Sequence, residues 1–551
     1  MTTLAHEPSI KAPRMGLVVA ASAAGTAFEW YDFFVFAPLA TILSKVFFSG
    51  LNDSAAYIFA LGAFAAGFAF RPVGALIFGR IGDRVGRKGA FLITILMMGG
   101  ATFGIGLLPS YAHAGIASPA TFILLRIVQG IALGGEWGGA AVYIAEHAPP
   151  ERRGYFTSWI GASAAFGLLG ALLVTLATRT LVGEAAFAAW GWRIPFLASV
   201  ALLGVSVWFR FKLSESPAFV RMRNEGKRSE RPYVESFLQW PNLRLVLIAL
   251  FAVMVAQGGV WYTTFFYAQS FLEKTLKVSP QTVNTIMVAL TIASAPLYMF
   301  FGWLSDRIGR KAVMAGGMIL FTVCLWPGFH LIARAANPDL AAASARAPVT
   351  VVADPAACTL QFDPVGKAQF RTSCDILKSA LTENGVGYKN QAAPAGSLAE
   401  ARVGGVRIVS AEDSSLAPGP LKALKASVAG RLKAGLTAAG YPAKADQSKV
   451  RPVEIFLVLL VLATGATALY GPQAACLVEL FPTRVRYTAL SLPYHIGTGW
   501  VGGFLPTTAY AMAVSSGSLF RGLWYPIIAT GLSIVVTLLF LPETRRRDLE
   551  M

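Results

Sequence analysis

The chain has 551 residues, 55% of them hydrophobic and only 14% charged, with a mean hydropathy of +0.57. Soluble proteins average about 25% charged residues, so a water-exposed surface of this size is excluded and composition alone marks a membrane protein. The net charge of +18 would point to nucleic acid in a soluble chain, so the placement of the cations has to decide its meaning.

Runs of about 20 mostly apolar residues, enough to cross the hydrocarbon, occur at 16–44, 55–79, 89–110, 119–145, 156–182, 192–213, 243–271, 281–301, 312–334, 453–479, 488–514 and 518–541. These predict twelve transmembrane helices in an all-α membrane protein. The polar first 14 residues lack a small-residue cleavage site and read as no removable signal peptide. Residues 214–242 are charged and follow the sixth span, which makes them a cytoplasmic linker between a bundle at 1–213 and a second one beginning with helices seven to nine at 243–334. Residues 335–452 are polar and lie between spans nine and ten, outside the membrane on the non-cytoplasmic face; 453–551 complete the second bundle and end in a short cytoplasmic tail.

Within that insert, 366–387 and 419–440 read as amphipathic helices ending at Gly, and 401–410 as a strand, so a small α/β module is expected. A decoration with no part in the chemistry is the other reading. Cys358 and Cys374 lie on the oxidising side and are candidates for a disulfide. Cys324 and Cys476 sit in spans as buried thiols.

Sorting the cations gives orientation. With both termini inside, 23 Lys and Arg fall on the cytoplasmic side, Arg210, Arg153 and Arg486 among them, against six in the opposite short loops and helix ends. The insert holds 14 more, but a translocated segment this long is largely exempt from the rule. Topology thus accounts for most of the basicity, and no nucleic-acid partner is implied. Only Arg71, Arg126, Arg244 and Arg334 remain.

The loop after span two, GRIGDRVGRK (79–88), returns after span eight as GWLSDRIGRK (302–311). Gly79, Asp83, Arg84, Gly86, Arg87 and Lys88 match Gly302, Asp306, Arg307, Gly309, Arg310 and Lys311. The repeat predicts a duplicated 6+6 architecture in which glycines permit tight turns. Each Asp can accept hydrogen bonds at a helix N-terminus while pairing with Arg, a clamp for the cytoplasmic side.

This loop resembles the signature of the major facilitator superfamily. Segments 28–40, 70–88, 126–159, 190–197 and 481–497 are together similar to its metabolite:proton symporter family, whose members carry shikimate, 2-oxoglutarate, citrate and proline or betaine. The resemblance covers nearly all the membrane part and excludes the insert. It implies alternating access of two bundles about a midplane site, no cofactor beyond the proton gradient, and a lipid-embedded monomer in the cell inner membrane. It also associates Asp32 and the RxxQG run beginning at Arg126 with proton coupling.

Charged groups inside spans are costly unless they face protein or water. Gly25, Glu29, Asp32 and Phe36 share one face of span one, and Arg126, Gln129, Glu136 and Tyr143 one face of span four. Asp32 with Arg126 is the leading coupling pair, followed by Glu136 and Glu29; buried structural ion pairs are the alternative. Candidate substrate contacts are Gln129, Tyr143, Gln257, Trp261, Tyr262, Tyr494, His495 and Arg71, though Arg71 is equally explained as structural beside Pro72. Pro493, Tyr494 and His495 stand where the family more usually has Gly-Tyr-Gln. Span five has Gly161, Gly167 and Gly170 but no Pro, favouring symport over exchange. With ten residues after Leu541, no coiled-coil tail of the osmosensing kind is expected. The His, Cys and Gly patterns of metalloproteases, hydrolases and phosphate-binding loops are missing, so no catalytic residue, metal site or enzyme activity is expected. The reading is a proton symporter importing a small organic acid; a proline or betaine-type zwitterion symporter and a membrane sensor using the insert are the alternatives.

Overall fold

A computed structural model describes residues 15–36, 39–48, 67–211, 215–361, 370–412, 416 and 418–549. The predicted start of span two (55–66), the first 14 residues with Lys11 and Arg14, Lys212, and residues 366–369 of the first insert helix lie outside them. The membrane part is built from α1 (Met15–Phe34), α2 (Arg71–Arg84), α3 (Arg87–Leu107), α4 (Ala117–His147), α5 (Arg153–Val182), α6 (Arg193–Phe211), α7 (Trp240–Thr275), α8 (Pro280–Ile308) and α9 (Arg310–Ala336). Among the described residues eight helices are long and apolar enough to cross a membrane, and a ninth if the 63° bend before Arg193 falls within one span.

Local chemistry sets many of these limits. Pro72 and Pro280 open α2 and α8 where no backbone donor is needed, and the Ser279 hydroxyl accepts from Thr282 N at 3.3 Å. Gly309, at φ 108°, separates α8 from α9, as Gly86, at φ 144°, separates α2 from α3. Along α7 the helix widens to π geometry at Ala249–Met254, Thr263–Tyr267 and Phe271–Thr275. Such widenings are often found at functional sites.

The insert contains α10 (Ser373–Glu383), α11 (Pro418–Ala438) and strands β1 (Val349–Ala353), β2 (Tyr388–Ala392), β3 (Glu400–Val403) and β4 (Val406–Val409). Their order is β2-β1-β3-β4. β1 and β2 are parallel and joined through α10, while β3 is antiparallel to both β1 and β4. Residues 401–410, expected as one strand, form a hairpin because Gly404 and Gly405 supply the turn, Gly404 at φ 58°. The first insert helix begins later than expected, at Ser373, where Thr372 caps it by accepting from Asp375 N at 3.1 Å. Cys358 and Cys374 are joined by a disulfide that closes a 16-residue separation.

The chain returns to the membrane in α12 (Pro452–Leu480), α13 (Arg486–His495), α14 (Leu505–Ser516) and α15 (Trp524–Phe540). The eleventh span is divided: α13 passes through a π segment, Ile496–Gly502, and breaks before the Leu505-Pro506 start of α14. The insert is fastened to the ends of α14, α7 and α9 by Tyr388 N to Gly517 O (2.8 Å), Ala445 N to Lys277 O (3.1 Å) and Arg451 N to Ala335 O (2.9 Å). Closing a loop of about 15 residues with a disulfide is worth about 3 kcal/mol in the unfolded-state entropy. Replacing Cys358 and Cys374 together by Ala should therefore lower hydrogen-exchange protection of α10 by a free energy of that order, with the membrane helices unchanged.

Candidate functional site

At one end of the molecule the two copies of the repeated loop each grip the opposite half. Asp83 pairs with Arg87 at 2.6 Å and accepts from Tyr487 N and Thr488 N, at 3.2 and 2.8 Å, in the first turn of α13. Asp306 pairs with Arg310 at 2.6 Å and accepts from Gly154 N and Tyr155 N, at 2.9 and 2.8 Å, in the first turn of α5. A carboxylate on exposed helix N–H groups is favoured by both hydrogen bonding and the helix dipole.

Behind each Asp sits a second acid. Glu146 lies 2.7 Å from Arg486 and 3.5 Å from Arg87, and Glu479 lies 3.0 Å from Arg153 and 3.2 Å from Arg310. A third pair completes the symmetry: Glu215 accepts from Arg87 N (3.1 Å) and Lys88 N (3.3 Å), as Glu543 accepts from Arg310 N (2.9 Å) and Lys311 N (3.2 Å). Lys88 Nζ reaches Phe211 O at 3.3 Å and Lys311 Nζ reaches Leu538 O at 2.9 Å. Arg84 lends its carbonyl to Arg228, and Arg307 stacks on Trp303 at 4.0 Å. Gly79 and Gly302 pack against Thr488 and Gly154 of the opposite half. Arg153 and Arg486, assigned above to the positive-inside count, are buried members of this clasp.

Further along the helices, Arg210 Nη2 bridges Glu29, at 3.0 Å, and Glu136. Its Nη1 donates to Phe91 O at 2.8 Å, and Thr94 donates to the other Glu136 oxygen at 2.6 Å. Gly25 makes room, since a Cβ there would lie 2.6 Å from Nη2 of Arg210. Arg210, counted from the sequence among the cytoplasmic-side cations, is thus a buried member of an ion cluster. Its position near the end of α6 suggested the interface, and no local signal marks the two acids that reach it from α1 and α4.

Asp32 and Arg126 are both buried, but no ion pair joins them among the described residues. Arg126 donates to Gln129 at 2.7 Å and lies over the Phe36 ring at 4.2 Å; Gln129 in turn donates to Thr102 at 2.7 Å. The Thr102 hydroxyl itself donates to Met98 O at 2.9 Å. In place of the expected pair stands an Arg126–Gln129–Thr102 series. The reason is geometric: Gln129 lies one turn from Arg126 on the same helix and occupies the guanidinium.

A small central cavity of about 10 Å³ is lined by Thr26, Glu29, Trp30, Arg71, Leu133, Trp137, Tyr494 and His495. That is about the space of one water, so the centre is closed in this conformation. The Arg71 guanidinium lies over Phe68 at 4.1 Å and within 5.9 Å of Trp30. Trp137 stacks on Tyr494 at 3.7 Å, the Tyr494 and Tyr470 hydroxyls are 3.2 Å apart, and His495 stands edge-on to Tyr494. Of the expected substrate contacts, Arg71, Tyr494 and His495 line the cavity, whereas Gln129, Tyr143, Gln257, Trp261 and Tyr262 are not among its lining. Tyr143 packs on His147 nearer the clasp, and Trp261 donates to Tyr298 at 2.9 Å. Trp30 and Trp137, not singled out from the sequence, sit beside the acids of spans one and four.

The family model described as Sugar (and other) transporter matches residues 17–234 and 424–551, and that of the Major Facilitator Superfamily matches 249–351. The chain belongs to the major facilitator superfamily. A glycine betaine/proline/ectoine/pipecolic acid transporter of Dickeya dadantii is 29% identical over 98% of this chain and 85% of its own length. A proline/betaine transporter of Salmonella typhimurium is 36% identical over 60% of this chain and 67% of its own, and the shikimate transporter of Escherichia coli 31% identical over 60% and 75%. The solved structure of the proton:xylose symporter XylE superposes with a TM-score of 0.63 at 14% identity, covering 97% of this chain and 98% of that one, which is a likeness of fold. As a superfamily member the chain is a multi-pass membrane transporter and not an enzyme.

Removing one member of a buried ion cluster leaves an uncompensated charge, at about 3–5 kcal/mol. Arg210→Met should cost about that much in thermal or denaturant stability of the purified protein, and adding Glu29→Gln and Glu136→Gln should recover much of it. Asp83→Asn and Asp306→Asn should each loosen the clasp. In a Ser491→Cys background, they should raise labelling by a water-soluble thiol reagent applied from the clasp side.

Proposed function

We propose that this protein is a proton-coupled symporter importing a compact zwitterion of the proline or betaine type across the cell inner membrane, with both termini in the cytoplasm. The observation that carries the substrate class is that Arg71 shares one cavity with the aromatic side chains of Trp30, Trp137 and Tyr494. A guanidinium recognises a carboxylate through a planar fork of donors. Aromatic faces attract an ammonium, including a quaternary one that cannot donate a hydrogen bond. The two relatives named for proline and betaine support the same reading. An organic anion uses Arg71 as well, and the shikimate transporter among the relatives keeps that second reading open to test.

The mechanism follows from where the buried charges lie. The clasp closes one side with paired acids and arginines, so the centre is reached from the other side once the surrounding aromatics separate. Substrate carboxylate on Arg71 neutralises one buried cation. Protonation of Asp32 neutralises one buried acid. With both neutralised, the bundles rock with less charge carried through the low-dielectric centre, and the clasp separates. The reverse swing, after release of substrate and proton, restores the paired arrangement.

Uptake into proteoliposomes with an imposed proton gradient tests these roles. L-proline or glycine betaine should accumulate and be displaced by each other in preference to shikimate. Arg71→Gln should lower uptake at least 100-fold, and Trp137→Ala should weaken glycine betaine at least tenfold. Asp32→Asn should abolish gradient-driven accumulation while exchange persists. Undiminished accumulation by Asp32→Asn at normal expression would remove its coupling role.

A further inference from the structure

The insert does more than cover the outer helix ends. Two adjoining cavities of about 310 and 470 Å³ lie between it and the outer parts of α7 and α14, and Glu383 and Tyr510 line both. Such volumes fall in the range of about 300–1,000 Å³ common to small-molecule sites. The first cavity adds Ser379 of α10 and Lys425 of α11; the second adds Glu273 and Lys277.

The charges in this cleft are arranged rather than cancelled. No ion pair closes on the Glu383 carboxylate among the described residues, and Lys277 Nζ donates to the Glu383 backbone carbonyl instead. Enclosure by protein raises the Glu383 carboxyl above its ordinary range and lowers the Lys277 and Lys425 ammoniums. Lys277 is also held at φ 60°, a left-handed conformation that costs energy for a residue with a Cβ and that recurs at functional sites. The conformation ends α7, where Val278 N donates to Leu272 O at 3.0 Å, and the insert adds a bond from Ala445 N to Lys277 O at 3.1 Å. The insert thus touches Lys277 and supplies Glu383 and Lys425.

We infer that this cleft is an outer loading site for compact zwitterions, with Glu383 and Tyr510 receiving the ammonium end and Lys277 and Lys425 the carboxylate end. The inference rests on the zwitterion reading of the central site and places a second solute at the mouth of the helices that must move to expose it. A site for an anion alone has no use for the carboxylate at its middle, and a site for a cation alone has none for the two lysines.

The test is equilibrium binding of L-proline to the full-length protein in lipid nanodiscs, with uptake measured in parallel. Wild type should bind two equivalents. Glu383→Gln and Lys425→Gln, each checked by thermal unfolding, should weaken one of them at least tenfold, and Arg71→Gln should remove the other. One equivalent in wild type, sensitive to Arg71→Gln and indifferent to Glu383→Gln and Lys425→Gln, overturns the outer site and leaves the central reading standing. One equivalent lost in Glu383→Gln, with no L-proline uptake, keeps the outer site and overturns the central reading. No binding overturns both.

Discussion

A guanidinium taken out of water has to be met by acceptors or by aromatic faces, and Arg71, Arg87, Arg126, Arg210, Arg310 and Arg486 are all buried here. How each is met decides the behaviour of its region. Arg87, Arg310 and Arg486 are met by carboxylates that also bind across the two halves. Arg210 is met by two acids from different helices, which ties α6 to α1 and α4. Arg71 and Arg126 are met by aromatic rings and Gln129. The first four charges are thus held by opposite charge, and the last two lie where an incoming carboxylate or a titrating Asp32 can alter the balance.

The clasp obeys the same constraint twice. Its symmetry extends beyond the repeated loop to Glu146 and Glu479, Arg153 and Arg486, and the pair Glu215 and Glu543 that caps α3 and α9. Because each Asp caps a helix of the opposite half, separation of the halves exposes helix N–H groups and carboxylates together, where water can solvate both. The same contacts can therefore be stable when closed and tolerable when open.

Much of the fold was legible because hydrocarbon thickness fixes the length of a span and a repeated GxxxDRxGRK pattern fixes the duplication. The eleventh span was legible only as an apolar run, since its break depends on α7 packing against Gly497 and Gly502. In the insert, Gly404 and Gly405 carried a hairpin signal that a strand reading passed over. The site was legible in part: intramembrane charges announced Glu29, Asp32, Arg126 and Glu136, but aromatic residues are too common in spans to single out Trp30 and Trp137.

The sequence by itself determined the membrane location, the duplicated bundle and the identity of the embedded charges, because these follow from hydropathy, periodicity and the cost of burying an ion. Only the tertiary structure decided the partners. Arg210 reaches Glu29 and Glu136, Arg126 turns to Gln129, and Lys277 faces Glu383, which lies 106 residues away in the chain. Pairing is set by which helix faces meet across the bundle, and no spacing along one helix encodes that meeting.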